Sequence, residues 1–173
     1  MLTIEKKYTT DDFKKIEEGT FCQLINGEII MSPSPSTAHQ RTLRKIFEQI
    51  LKYLEINGEV FVAPLDVYLN KENAYQPDII FVSKEKLDII KEDGIYGAPD
   101  LIIEILSPSN SYYDLKDKKK IYEKYGVKEY WLVDPLDGEA TGFKNENEKF
   151  IEFYNGTNEF TIKLLNLKIQ LNT

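Results

Sequence analysis

The chain is short of the residues from which covalent or metal scaffolds are made. It carries one cysteine, Cys22, and one histidine, His39, among 173 residues. An intrachain disulfide is therefore impossible, and no set of residues spaced like zinc ligands accompanies the histidine. Nine glycines and seven prolines are too few for a collagen-like or low-complexity chain. Long hydrophobic runs are missing: no apolar stretch approaches the roughly 18 residues of a membrane-spanning helix. The first residues, MLTIEKKYTTDDFKK, lack the hydrophobic centre of a secretory signal. A cytoplasmic protein with no membrane association is the expectation. Basic residues are in deficit, 22 against 29 acidic, for a net charge of -7. That balance disfavours a dedicated sequence-independent nucleic-acid binder but leaves room for a local basic groove.

What is present describes an ordinary globular chain, 42% hydrophobic and 29% charged. At this length roughly 70% of the unfolded surface can be buried, so one domain spanning residues 1–173 is expected to hold its own core. Thr9 or Thr10 can cap a short lead-in helix through Asp11, Asp12, Phe13 and Ile16, stopped by Gly19, within residues 1–20. FCQLI and EIIM flank Asn26-Gly27, the strongest hairpin-turn dipeptide. After the loop MSPSPST, Ser36 or Thr37 caps the longest helix. Its apolar stripe is Leu43, Ile46, Phe47, Ile50, Leu51 and Leu54, and Asn57-Gly58 ends it.

Leu65, Val67 and Leu69 alternate as one strand, and AYQPDIIFV reads as a second, apolar on both faces and therefore central. A short helix around LDII precedes the apolar run APDLIIEILS. A helix from about Ser111 to Tyr125 and the strand EYWLVDP complete a strand, helix, strand unit. A crossover of that kind favours a parallel pair, whereas the N-terminal hairpin and the C-terminal strands should be antiparallel. The spacing predicts a mixed sheet in an α/β (α+β) fold. Turn signals at Asp137-Gly138 and Asn155-Gly156 make residues 135–173 strand-rich.

Glu104 interrupts LIIEIL on the face it shares with Ile102 and Leu106, in a strand buried on both sides. A buried carboxylate requires compensation by a metal, a fixed lysine or an altered pKa. Asp78 has a similar setting in QPDIIFV. Were the two strands neighbours, both carboxylates could meet at one sheet end and offer the hard oxygen ligands that Mg2+ or Mn2+ prefers. On the following helix, placing residues at 100° intervals puts Leu115, Lys118, Tyr122 and Tyr125 in one arc, with Lys116, Lys119, Lys120 and Lys124 outside it. Lys118 thus points inward, either to neutralise Glu104 in a buried ion pair or to join the carboxylates in positioning a phosphate and activating water. Asp100 lies four residues before Glu104, about 13 Å away along a strand, too far to share one ion. Its expected role is at the strand end. Tyr112, Tyr113, Tyr122, Tyr125, Tyr130 and Trp131 read as core aromatics, with base stacking as the alternative if exposed.

Three stretches, LINGEIIMSPSPSTAHQ, QPDIIFVS and APDLIIEILSPSNSYYDLKDKKKIYEKYGVKEYWLVDP, form a long combined pattern from about Phe21 to Asp134. It resembles the Uma-type putative restriction endonuclease family of the PD-(D/E)XK nuclease superfamily. The resemblance implies a restriction-endonuclease-like mixed β-sheet flanked by helices, with residues 21–134 as its core. It implies that Asp78 and Glu104 are the motif acids that ligate a divalent cation and that Lys118 is the family's helical lysine. The usual superfamily position for that lysine, two residues after the acid, is Leu106 here, so the lysine has moved to the next helix. Gln23 stands where similar sequences usually carry glutamate. His39 matches a histidine often found in the first long helix, although a local hydrogen bond in the first turn would equally account for it. Ser107, a cap or turn residue, is close enough in sequence to Glu104 to line the site.

The function implied is Mg2+- or Mn2+-dependent hydrolysis of DNA phosphodiester bonds by Asp78, Glu104 and Lys118. The alternative is a catalytically inactive module of the same fold that binds nucleic acid or a protein. A homodimer is expected by resemblance to nucleases that cut duplex DNA with two-fold symmetry. No protein partner is indicated.

Overall fold

The computed structural model describes residues 7–17, 19–53, 57–107 and 112–171. Thr9 caps helix α1 (Thr10–Phe13), and the Asp12 carboxylate accepts from the Thr9 amide at 3.1 Å, a reciprocal arrangement that satisfies both backbone donors. This helix stops short of Ile16. Strands β1 (Cys22–Ile25) and β2 (Glu28–Met31) form the hairpin expected at Asn26-Gly27, where φ is 51° and 82°. The Ser36 hydroxyl accepts from the His39 amide at 3.2 Å and so caps helix α2 (Thr37–Tyr53). Leu54 lies outside the described residues.

Strand β3 (Gly58–Val62) was not singled out by the sequence pattern. It is followed by β4 (Val67–Asn70), β5 (Asn73–Tyr75) and β6 (Ile79–Ser83). The run AYQPDIIFV is therefore two strands, and they belong to different sheets. Pro77 has no amide to donate, and the Gln76 amide bonds the Gln23 side chain at 3.0 Å, so the ladder breaks there. Asp78 stands at the break.

A 3-10 turn (Lys84–Ile89) takes the place of the short helix and leads into β7 (Ile90–Lys91), β8 (Gly94–Tyr96) and β9 (Leu101–Ile105). Helix α3 (Tyr112–Tyr125) crosses to β10 (Glu129–Val133), parallel to β9 as expected; Ser111 lies outside the described residues. The chain closes with β11 (Glu139–Asn145), β12 (Phe150–Thr157), β13 (Glu159–Ile162) and β14 (Leu167–Gln170). Asn155-Gly156 is not a turn. It lies inside β12, where the Asn155 amide bonds Glu139 and Thr141 across the ladder, and the chain turns instead at Asn158, φ 73°.

The fold is mixed α+β as expected, but it holds two large sheets. One has the order β2-β1-β5-β4-β8-β7 and the other β12-β11-β10-β9-β6-β3; both are mixed, and β13-β14 pair separately. Alternation along β6 and β9 divides their side chains between two cores. Ile79, Phe81, Leu101, Ile103 and Ile105 pack with Ile46 and Ile50 of α2 and with Phe160, Ile162 and Ile169 of the C-terminal hairpin. Ile80, Val82 and Ile102 pack on the other side with Val67, Leu69, Tyr75 and Ile95 of the first sheet and with Tyr122 of α3. A smaller cluster of Phe13, Cys22, Leu24, Tyr68 and Ala74 joins α1 to the first sheet. This layering explains why β6 and β9 are apolar throughout, and why a carboxylate on β9 stands out.

Candidate functional site

The paired register of β6 and β9 matches Ile79 with Ile103 and Ile80 with Ile102. Asp78 directly precedes Ile79 and Glu104 directly follows Ile103, so the register brings the two carboxylates near each other, close enough for the Asp78 charge to act on Glu104. The Ile105 amide, turned toward the end of β6, donates to Asp78 Oδ2 at 2.7 Å. His39, in the first turn of α2, reaches the other oxygen: its Nε2 lies 3.1 Å from Asp78 Oδ1. The two strands and α2 thus meet at the Asp78 carboxylate.

Glu104 is approached from α3. Lys118 Nζ lies 3.1 Å from Glu104 Oε1, and the Tyr122 hydroxyl donates to the same oxygen at 2.9 Å. Lys118 and Tyr122 are one helical turn apart, so one face of α3 delivers both donors. Glu104 is 2% exposed and Lys118 4%. The Lys118 ammonium also lies over the Tyr75 ring, 5.8 Å from its centre. Lys116, Lys120 and Lys124 are exposed, and Lys119 is half-buried against the Phe143 ring, so Lys118 is the lysine of this helix that turns into the site.

A cleft of about 380 Å³ opens over these groups, and Gln23, His39, Asp78, Glu104, Ser107 and Lys118 all line it. Every site residue expected from the sequence is therefore brought to one place. Gln23 makes its contribution through hydrogen bonds: its amide donates to Ser32 Oγ at 3.2 Å and accepts from the Gln76 amide at 3.0 Å. It pins the β1–β2 hairpin to the break before Asp78. Phe21, 59% exposed, stands at the cleft wall. Asp100 lies apart at the opposite end of β9, fully buried, with Lys128 and Lys86 2.7 and 3.3 Å from its carboxylate. The strand-end role expected for it agrees with this position.

Tyr122 is the contributor that the pattern obscured. Its place on the inward arc of α3 was legible, but it read as a core aromatic, and periodicity says nothing about a hydroxyl's partner. Tyr122, Tyr130 and Trp131 are fully buried, as the core reading requires, while Tyr125 is 37% exposed. The side chains of Tyr112, Tyr113 and Leu115 lie outside the described residues.

The electrostatics follow from this packing. Burial holds the Glu104 carboxyl above the usual carboxylate range; Lys118 and Tyr122 pull it down, and the Asp78 charge pushes it up further. Burial also works against an imidazolium at His39, but the hydrogen bond and charge of Asp78, with a smaller contribution from Glu104, outweigh it and raise the pKa. The Tyr122 hydroxyl is held well above its ordinary range by burial and by the Glu104 charge, so it remains a donor.

Two carboxylates that repel one another and line the same cleft are a hard-oxygen donor set. Among the described residues no three His, Cys, Asp or Glu side chains gather to form an all-protein cage. Mg2+ does not require one, since it usually keeps waters and substrate phosphates beside one or two carboxylates.

A family model named Uma2, described as "Putative restriction endonuclease", matches residues 10–173. A solved structure, that of a putative nuclease belonging to DUF820 from Anabaena variabilis ATCC 29413, superposes with a TM-score of 0.77 over 94% of each chain at 22% sequence identity. At that identity the likeness concerns the fold. No curated protein matches the chain significantly.

Proposed function

The chain belongs to the Uma2 family of putative restriction endonucleases, and we propose that it is a divalent-cation-dependent endonuclease that hydrolyses DNA phosphodiester bonds, with Asp78, Glu104 and Lys118 as its catalytic residues. The observation that carries this reading is the convergence of a buried strand carboxylate, Glu104, a partly buried carboxylate just before β6, Asp78, and a buried helix lysine, Lys118, on a single cleft. Asp78 and Glu104 would hold Mg2+ or Mn2+, and their oxygen chemistry and mutual repulsion fit such an ion. When bound, the ion supplies Lewis-acid polarisation of the phosphate and a more acidic water.

The protein's own groups do the rest. His39 and the Ile105 amide fix the two oxygens of Asp78 in place. Lys118 brings an ammonium to the cleft within 3.1 Å of Glu104, where it can orient the attacking water and stabilise the negative charge that develops on the phosphate oxygens. A water oxygen adds to phosphorus, the bond to one bridging oxygen breaks, and a phosphate monoester and a free hydroxyl result. Ser107 and Gln23 line the cleft as accessory polar groups. Gln23, at the position where the sequence resemblance leads one to expect glutamate, supports the hairpin without adding charge.

The test is cleavage of plasmid, duplex and single-stranded DNA at low salt with Mg2+, Mn2+ or EDTA, comparing wild type with Glu104→Gln. Metal-dependent nicking that EDTA and Glu104→Gln both abolish is the expected result. A folded wild type that cuts none of the three under any metal overturns it and favours the inactive, nucleic-acid- or protein-binding alternative.

A further inference from the structure

We propose that Tyr122 is a positioning residue whose hydroxyl, together with the Lys118 ammonium, occupies Oε1 of Glu104, so that Oε2 is the oxygen this carboxylate offers to a divalent cation. The inference rests on the metal-dependent reading above and goes beyond it in assigning how Glu104 is presented and by what.

Among the described residues, both hydrogen bonds to the Glu104 carboxylate fall on one atom: Tyr122 donates at 2.9 Å and Lys118 at 3.1 Å, each to Oε1. Among the described residues no donor reaches Oε2, and Glu104 lines the cleft. A carboxylate rotates easily about its last bond, a broad torsion with no steep staggered wells. Two donors on one oxygen remove that freedom and leave the other oxygen without a donor among the described residues, on a side chain that lines the cleft. The Tyr122 ring is well placed to act as a fixed post. It is fully buried, meets the Tyr75 ring edge-on at 5.5 Å and 87°, and lies 5.4 Å from the Tyr130 ring. Packed in this way, it has no room to swing, so the hydroxyl holds its line to Glu104. Lys118 alone would be a weaker anchor, because an ammonium on four rotatable carbons can leave for a phosphate.

Tyr130 supplies a matched control. It is as deeply buried, touches the Tyr122 ring and faces the same carboxylates electrostatically, yet its hydroxyl has no hydrogen-bond partner among the described residues. Removing that hydroxyl takes nothing from Glu104.

The experiment uses the full chain as wild type, Tyr122→Phe and Tyr130→Phe. Mn2+ binding without DNA is followed by electron paramagnetic resonance, and kcat and KM are measured on duplex DNA. Each substitution keeps the ring and leaves Glu104 its bond to Lys118, and melting curves confirm the fold. Tyr122→Phe is expected to weaken Mn2+ binding by about 10- to 100-fold, the usual cost of losing an outer partner of a metal ligand. It should lower kcat while leaving KM for DNA in place. Tyr130→Phe is expected to match wild type in both assays. Wild-type Mn2+ affinity in Tyr122→Phe overturns the assignment, as does an equal loss in Tyr130→Phe, which would mark general loosening of the aromatic cluster. A wild type that binds no Mn2+ overturns the metal-dependent reading itself and this assignment with it.

Discussion

The ammonium of Lys118 gives up nearly all of its hydration to sit beside one carboxylate oxygen and one tyrosine ring. Burial of that kind is costly unless the pair is also hydrogen-bonded, which Tyr122 ensures on the Glu104 side. As a structural ion pair the arrangement would gain little over apolar residues of similar volume, so its placement in the cleft wall is better explained by use. Replacing Lys118 by Met separates the two roles, since Met keeps the apolar stem and discards the charge. Glu104, already held above the usual range by burial, can then take up a proton and remain bonded to Tyr122. Lys118→Met is therefore expected to stay folded by circular dichroism and to lose DNA cleavage by about 100- to 1,000-fold, the scale of removing one preorganised electrostatic group. Undiminished cleavage by the folded variant would refute the role. The candidate site was legible at this scale because charged residues inside apolar strands and on the inward arc of α3 violate the pattern around them. The Tyr122 hydroxyl was not, because a tyrosine on an apolar arc violates nothing.

Between elements, the sheet carrying the site is locked at its far end by Asp100. Its carboxylate receives the Ser83 amide at the end of β6 at 2.8 Å, Lys128 just before β10 at 2.7 Å and Lys86 from the 3-10 turn at 3.3 Å. Burial alone would raise the Asp100 pKa, but the hydrogen bonds from Lys128 and Ser83 outweigh it, and the pKa is lowered. A lowered folded-state pKa means that the carboxylate adds stability above its unfolded value, near 3.9, and that this contribution is lost as pH falls through the folded value. Asp100→Asn is expected to cost about 2 kcal/mol at neutral pH, a typical figure for hydrogen bonds to a charged group. Urea unfolding should show the gap from wild type closing as pH falls below about 4. A gap constant with pH would refute the ionic origin. Most elements were legible at this scale: the hairpin at Asn26-Gly27, α2 behind its serine cap and α3 between parallel strands all follow local rules. The misreadings share a cause. AYQPDIIFV looked like one strand and Asn155-Gly156 like a turn because apolarity and turn propensity are local, whereas the Gln23 bond that breaks the first and the Glu139 and Thr141 bonds that straighten the second come from other strands.

For the molecule as a whole, an excess of acidic residues, net charge -7, sets the conditions under which the proposed DNA substrate would be engaged. With that charge, non-specific attraction to a DNA backbone is expected to be weak, so on the proposed reading binding would rest on the cleft and its wall, where Phe21 is 59% exposed. A duplex presents two antiparallel strands, and cutting both calls for two clefts related by two-fold symmetry. The protein is accordingly expected to elute in gel filtration at about twice its 20.1 kDa chain mass. Elution at the mass of one chain would refute the dimer and direct attention to nicking of single strands. The mixed α+β class, the carboxylates and the inward lysine were readable from the chain alone, because periodicity and the cost of burying charge are properties that a chain carries locally. Three-dimensional packing was needed to divide the strands into two sheets, to bring Asp78 beside Glu104 through the β6–β9 register, and to set α3 at the height where Lys118 and Tyr122 reach one oxygen. Register and crossing height are fixed by the packing of all layers at once, and no local segment contains that information.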